Sequence, residues 1–397
     1  MIIKYIFFSL SIVVAFSPIN AQDWGPRSLE ELKLETIRRA GNNLNPITGV
    51  TLEDAHKAMS NFTRPDKDLW ASVWMENGDK YMEIATSTRS SEKLLELYYN
   101  AWRNYNVGRW PTEKHSDGKR LSYEKGLDAF LKYGKLISPS LERVVIPFEN
   151  SEIIAYLRIP YSNKPVPLIF ALNGLDSRKE DIIAGTDNYI KNGVAVFAMD
   201  MPGTGESPVL IDIGSERIFS VALDYLATRE EIDSENIAVQ GRSWSGYWAA
   251  ILAYTEKERI KGSAVHGVQV HGYFQPDWQK TALLSEEYLF DLFPARSVVY
   301  NIDNMIDFLA YGPRLSLVER GFIDQSSAPM LLVNGHQDSQ QPISDLYLLM
   351  QHGDPKEAWI NPVGGHLGRS EFWSMRKILN EVVEPWLMRK VGVEPIR

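Results

Sequence analysis

The sequence predicts an α/β protein: a mainly parallel eight-stranded sheet with helices on both faces, preceded by a helical region. Three observations carry this reading. Apolar residues keep helical spacing up to about residue 140, and beyond it short apolar segments alternate with helical ones. Those later segments are too apolar for strands with one wet face, so both faces of the sheet must be covered. A Gly-x-Ser turn also sits where an apolar strand runs into a helix, which is a place for chemistry.

The 397 residues, 44% of them hydrophobic, suffice for one large α/β domain with an accessory domain and exclude wholesale disorder. There is no cysteine, which removes disulfide frameworks, thiolate metal sites, a cysteine nucleophile and a lipid-modified cysteine. With 51 acidic against 42 basic residues the net charge is −9, and no basic run speaks for nucleic acid or an anionic membrane.

In chain order, residues 1–21 have the layout of a secretory signal peptide: Lys4, an apolar run over 5–16, the Ser17-Pro18 break, and Ala21 at a small-residue cleavage position. The run falls short of the roughly 20 residues that span a bilayer. The expected mature chain starts near Gln22 and is exported, to a periplasm or outside the cell. Residues 22–140 are expected to form a helical cap. Ser28-Leu29-Glu30-Glu31 is a capping box, Thr51 opens a second helix, and 67–85 and 91–105 carry helical periodicity. Trp24, Trp70, Trp74, Trp102 and Trp110 pack this region or line an apolar pocket.

Residues 141–397 are expected to form the catalytic domain. Candidate strands are 143–148, 153–159, 167–172, 194–199, 237–240, 263–270, 330–333 and 358–360, the first two joined as a hairpin through Glu149-Asn150-Ser151. Helices are expected over 218–226, 247–254 and 372–389. Residues 273–327 are too long for a simple crossover and are a candidate lid insertion.

The chemistry is expected at three strand ends. Gly241-Arg242-Ser243-Trp244-Ser245-Gly246 places Ser243 on a tight strand-to-helix turn, where a weak hydroxyl nucleophile can be exposed beside a base. Ser245 stands where the usual G-x-S-x-G pattern has its second glycine. Asp338 follows the seventh candidate strand, and His366, in a Gly-Gly-His loop, follows the eighth. The order Ser, acid, His is the one a hydrolase of this architecture requires, so Ser243, Asp338 and His366 are the expected catalytic triad. Asp277 is the alternative acid. Oxyanion donors are expected from the Leu175 N–H, with Gly174 as the alternative, and from the Trp244 N–H. The Asp200–Ser207 stretch lacks the Lys-Ser/Thr of a phosphate loop and reads as a structural turn. His266 and His271 suit buried packing or substrate contact better than a metal pair. Arg242 reads either as a partner for a cap carboxylate or as a surface turn residue.

With those residues in view, residues 140–390 resemble an α/β hydrolase, and more narrowly the FrsA-like esterases and dihydroxypseudooxynicotine hydrolase. The similarity rests on Asn173-Gly-Leu-Asp-Ser-Arg-Lys-Glu180, Asp200-Met-Pro-Gly-Thr-Gly-Glu-Ser207, Gly241-Arg-Ser-Trp-Ser-Gly246 and Gly365-His366. It implies the same triad, a helical N-terminal cap, and hydrolysis either of an ester or of a carbon–carbon bond beside a ketone. The expected partner is a small-molecule ester or ketone, with no cofactor, metal, nucleic acid or membrane anchor. A homodimer stays open. A non-catalytic binding protein on the same fold is the competing class, and a peptidase is disfavoured because no propeller-like repeat is present.

Overall fold

The computed structural model describes Gly25 and residues 27–396. The expected signal peptide and Trp24 lie outside the described residues. Five helices come first: α1 (Leu29–Gly41), α2 (Leu52–Asn61), α3 (Lys67–Ser87), α4 (Ser91–Arg109) and α5 (Asp117–Gly134), with a 3-10 turn at Glu113–His115. Side chains of Ser28, Thr51, Asp66, Ser90 and Ser116 cap their N-termini, each accepting from a backbone N–H three residues on. The Ser28–Glu31 capping box is complete in both directions.

The eight strands are β1 (Glu142–Phe148), β2 (Ser151–Arg158), β3 (Val166–Leu172), β4 (Ala195–Met199), β5 (Ile232–Arg242), β6 (Ser263–His266), β7 (Met330–Gly335) and β8 (Glu357–Asn361). They form one sheet in the order β1-β2-β4-β3-β5-β6-β7-β8. β2 pairs antiparallel with both β1 and β4, and every other pairing is parallel. The intervening helices are α6 (Lys179–Ile183), α7 (Asp187–Lys191), α8 (Arg217–Ala227), α9 (Ser245–Thr255), α10 (Pro276–Ala282), α11 (Leu292–Val298), α12 (Met305–Tyr311) and α13 (Ile343–Gln351). The period of two along each strand divides the core. Leu168, Phe170 and Leu172 pack with α8 and α9 on one face, while Ile169 and Ala171 pack with Tyr189 of α7 and with Trp386 on the other.

Two expectations need correction. β6 ends at His266, short of residue 270, because Gly267 turns the chain with φ near 100°. The single helix expected over 372–389 is three pieces: α14 (Met375–Ile378), a π-helical turn over Leu379–Val383, and α15 (Glu384–Lys390). Ser374 caps the first piece, and Pro385 has no N–H to continue an α ladder, so the wider turn absorbs the break.

The N-terminal helices meet the rest at two places. Trp102, Tyr105 and Phe130 pack on Tyr156 of β2 and Ala198 of β4. Trp70, Trp74 and Trp110 pack with Leu289 and Phe290 of the 273–327 insertion.

Candidate active site

Ser243 has φ of 53°, a left-handed conformation that L residues adopt only when their surroundings impose it. Here close packing imposes it. A Cβ on Gly246 would lie 1.8 Å from the Gly267 carbonyl oxygen, so the start of α9 can approach the end of β6 only as glycine. The Ser243 N–H donates to the His266 carbonyl at 2.7 Å, which pins the turn to the neighbouring strand. Ser245, at the second-glycine position of the usual motif, is fully buried, and its hydroxyl donates to the Asn173 carbonyl beyond β3.

Three strand ends then bring the expected residues together. The Ser243 Oγ lies 2.9 Å from His366 Nε2. His366 Nδ1 lies 3.0 and 3.1 Å from the two oxygens of Asp338. The Asp338 carboxylate has no exposed surface, while the His366 side chain is 11% exposed. Backbone N–H groups of Gln340 and Gln341 donate to Asp338 Oδ1 at 2.8 and 3.1 Å, and that of Leu367 to Oδ2 at 3.2 Å. Burial pushes the Asp338 pKa up, but His366 and these N–H groups outweigh it and hold the carboxyl below its usual range. An ionised, fixed carboxylate holds the imidazole with Nδ1–H toward it and leaves Nε2 to accept the serine proton.

The loop after β3, where oxyanion donors are expected, lies against the serine turn. A Cβ on Gly174 would fall 2.9 Å from the Ser243 Cβ, so that loop touches the serine directly. Among the described residues, the N–H groups of Gly174, Leu175 and Trp244 donate to no acceptor. Trp244 precedes the 11-residue α9, whose N-terminal dipole favours negative charge at that spot.

The remaining candidates fall elsewhere. Asp277 is fully exposed on α10 and sits 3.7 Å from Lys280, so it is no alternative to Asp338. His266 and His271 go to different partners: His266 Nε2 to the Leu367 carbonyl at 2.9 Å, His271 Nδ1 to Ser316 Oγ at 2.7 Å. Burial pushes the His266 pKa down to about 3, so it is a neutral prop beneath the His366 loop. Among the described residues no three His, Asp or Glu converge to hold a metal. Arg242 forms no ion pair with a described residue and ends β5 half-buried, so it is neither the partner of a cap carboxylate nor a surface turn residue.

Asp200–Ser207 is the structural turn expected of it, in a way the sequence does not show. Asp200 Oδ2 lies 2.9 Å from the buried Lys179 Nζ, which also meets Glu180 at 3.0 Å and Glu206 at 2.7 Å. Burial, with Asp200 close by, outweighs the Lys179 charge and raises the Glu180 pKa to about 7. Next to it Arg178 pairs with Glu113 of the helical region at 2.6 Å, and donates to the Leu175 carbonyl at 3.1 Å. The stretch 173–180 thus carries the expected oxyanion donors and also anchors the N-terminal helices. The sequence signal here is a run of two basic and two acidic residues over 178–181, which does not reveal their partners.

Comparisons with known proteins agree with this architecture. The profile of the family described as "Esterase FrsA-like" matches residues 66–365. Esterase FrsA of Vibrio vulnificus (strain YJ016) is 25% identical over 285 residues, 70% of this chain. The chain spans 66% of that relative, just under two thirds of its length. The 2,6-dihydropseudooxynicotine hydrolase of Paenarthrobacter nicotinovorans is 27% identical over 217 residues, 53% of this chain and 57% of that one. The crystal structure of the 2,6-dihydroxy-pseudo-oxynicotine hydrolase superposes with a TM-score of 0.71 at 21% identity, over 88% of this chain and 96% of that one.

Proposed function

The chain belongs to the family of FrsA-like esterases, and on that premise we propose that it cleaves a carboxylic ester through Ser243, His366 and Asp338 by way of an acyl-enzyme. The observation that carries the reading is the unbroken contact from Asp338 through His366 to Ser243, with the Gly174 loop pressed against the serine. In this reading His366 Nε2 takes the Ser243 proton as Oγ attacks the ester carbonyl. The Leu175 and Trp244 N–H groups receive the oxyanion, and the protonated His366, held by Asp338, returns its proton to the leaving alcohol. Water then enters, His366 takes its proton, and the acid is released with Ser243 regenerated. The N-terminal helices act as a cap over this site, and their buried tryptophans pack that cap. Export follows from residues 1–21. Mass analysis of the protein recovered outside the cytoplasm should then give a chain starting at Gln22.

Hydrolysis of a carbon–carbon bond beside a ketone uses the same groups, and one relative carries the name of a hydrolase rather than an esterase. Product analysis on a matched ester and β-diketone separates the two. A fluorophosphonate probe should label the purified protein and fail to label Ser243→Ala, which should also lose hydrolysis by at least about 10³-fold. Equal labelling of both proteins would sink the assignment.

A further inference from the structure

A second group of chemically demanding side chains lies in the insertion, beside the site. Arg296 of α11 is 3% exposed, yet among the described residues it forms no ion pair. Its Nη1 donates to Gln279 Oε1 at 2.9 Å and its Nη2 to Gln340 Oε1 at 2.6 Å. Both amides are fixed in that orientation, because their nitrogens donate to the carbonyls of Tyr273 and Ala282. The acceptors are therefore neutral, and a buried cation with only neutral acceptors is costly.

Three phenols stand around it. The guanidinium lies 5.4 Å over the Tyr273 ring. Burial pushes the Tyr288 and Tyr300 hydroxyls well above their usual pKa range; Asp176 adds to the rise at Tyr288, Tyr273 adds to it at both, and Arg296 opposes it at both. None of the three hydroxyls has a hydrogen-bond partner among the described residues. The cluster is linked to the expected triad through neighbouring residues. Tyr300 stacks 6.4 Å from Trp244, Tyr288 packs on the Trp110 that holds Asp176 of the oxyanion loop, and the Gln340 N–H bonds Asp338.

We propose that Arg296, with the hydroxyls of Tyr273, Tyr288 and Tyr300, is a subsite for a carboxylate on the substrate, so that the preferred ester carries an acid group. A carboxylate supplies the missing counter-charge and accepts from a planar guanidinium and from phenols together. The proposal rests on the ester reading for its place beside Ser243, but the subsite itself is a binding claim.

The test uses two matched pairs, which place the acid on either side of the ester: mono-4-nitrophenyl glutarate against 4-nitrophenyl pentanoate, and 4-acetoxybenzoate against 4-methylphenyl acetate. The wild-type chain should prefer the acid of one pair by at least about tenfold in kcat/KM. Arg296→Gln should lower that ratio at least about tenfold, Tyr300→Phe by less, and Arg296→Lys should restore part of it. Parallel losses on acid and neutral esters in both Arg296 variants, or no wild-type preference in either pair, overturn the proposal. A fluorescence titration of Ser243→Ala with monomethyl glutarate and with methyl pentanoate reads binding alone. Tighter binding of the acid, abolished by Arg296→Gln, keeps the subsite even if no ester is turned over. Equal binding of the two rejects it even if the esters are cleaved.

Discussion

Ser245 is the residue at which this chain departs from the usual nucleophile turn, and its surroundings give the reason. The side chain is wholly buried and its hydroxyl meets the Asn173 carbonyl, one residue ahead of the glycine that touches Ser243. Ser245→Ala leaves that carbonyl unsatisfied. Denaturant unfolding should show a loss of about 1–3 kcal/mol, and kcat should fall more than KM changes, because the bond positions the oxyanion loop. The sequence identified Ser243, Asp338 and His366 because their order and strand-end positions are local signals. It was silent on the hydroxyl of Ser245, and for His266 it gave buried packing without the Leu367 carbonyl it holds, because these partners lie across the sheet. His266 has a second consequence. Its folded pKa is near 3, against 6.5 in an unfolded chain, so in that window the unfolded chain binds the extra proton. Its burial therefore costs nothing above pH 6.5 and lowers stability as pH falls from 6.5 toward 3, by up to about 1.4 kcal/mol per unit. His266→Gln keeps a donor for the Leu367 carbonyl without titrating. Urea unfolding at pH 7, 5.5 and 4.5 should show the wild type losing stability relative to this variant, and parallel curves would contradict a neutral buried imidazole.

At the scale of elements, all eight strands were legible because each is a short apolar run between turn residues. The β1–β2 hairpin was legible from the short Glu149-Asn150-Ser151 connection between two strand-like runs. What failed was termination: Gly267 stops β6 early, and Ser374 and Pro385 break the last helix, all local effects that periodicity averages over. The connection from β3 to α6 matters most for activity. A Cβ on Gly174 would lie 2.9 Å from the Ser243 Cβ, so a methyl group there must move either the loop or the serine. Gly174→Ala should leave the circular dichroism spectrum and the fluorophosphonate-accessible fold intact while lowering kcat by about 10²–10³, the range for a lost oxyanion donor. Full activity in this variant would mean that the loop after β3 does not bind the oxyanion.

At the scale of the whole molecule, the sequence separated a helical region from a sheet domain but gave no account of how they join. The joint is made by residues that read as ordinary surface charges. Glu113 and Arg178 are 65 positions apart, and their pair is fully buried. Arg103 and Arg109 of α4 likewise reach Asp181 of α6, at 2.7 and 3.6 Å. No pattern within either stretch encodes such a pairing. It depends on the tertiary packing that sets Trp102 and Phe130 against Tyr156. Because Arg178 also holds the Leu175 carbonyl, the helical region is mechanically continuous with the oxyanion loop. Glu113→Gln should therefore do two things. It strands a buried guanidinium, which lowers stability by about 3 kcal/mol in denaturant unfolding. It should also lower kcat on any ester at temperatures where the variant is fully folded, since Leu175 loses its fixed neighbour. Replacing both Glu113 and Arg178 by Met should recover much of the stability, because no buried charge remains, but little of the kcat. Recovery of both together would show that the pair only holds the helices on, and that the site does not depend on them.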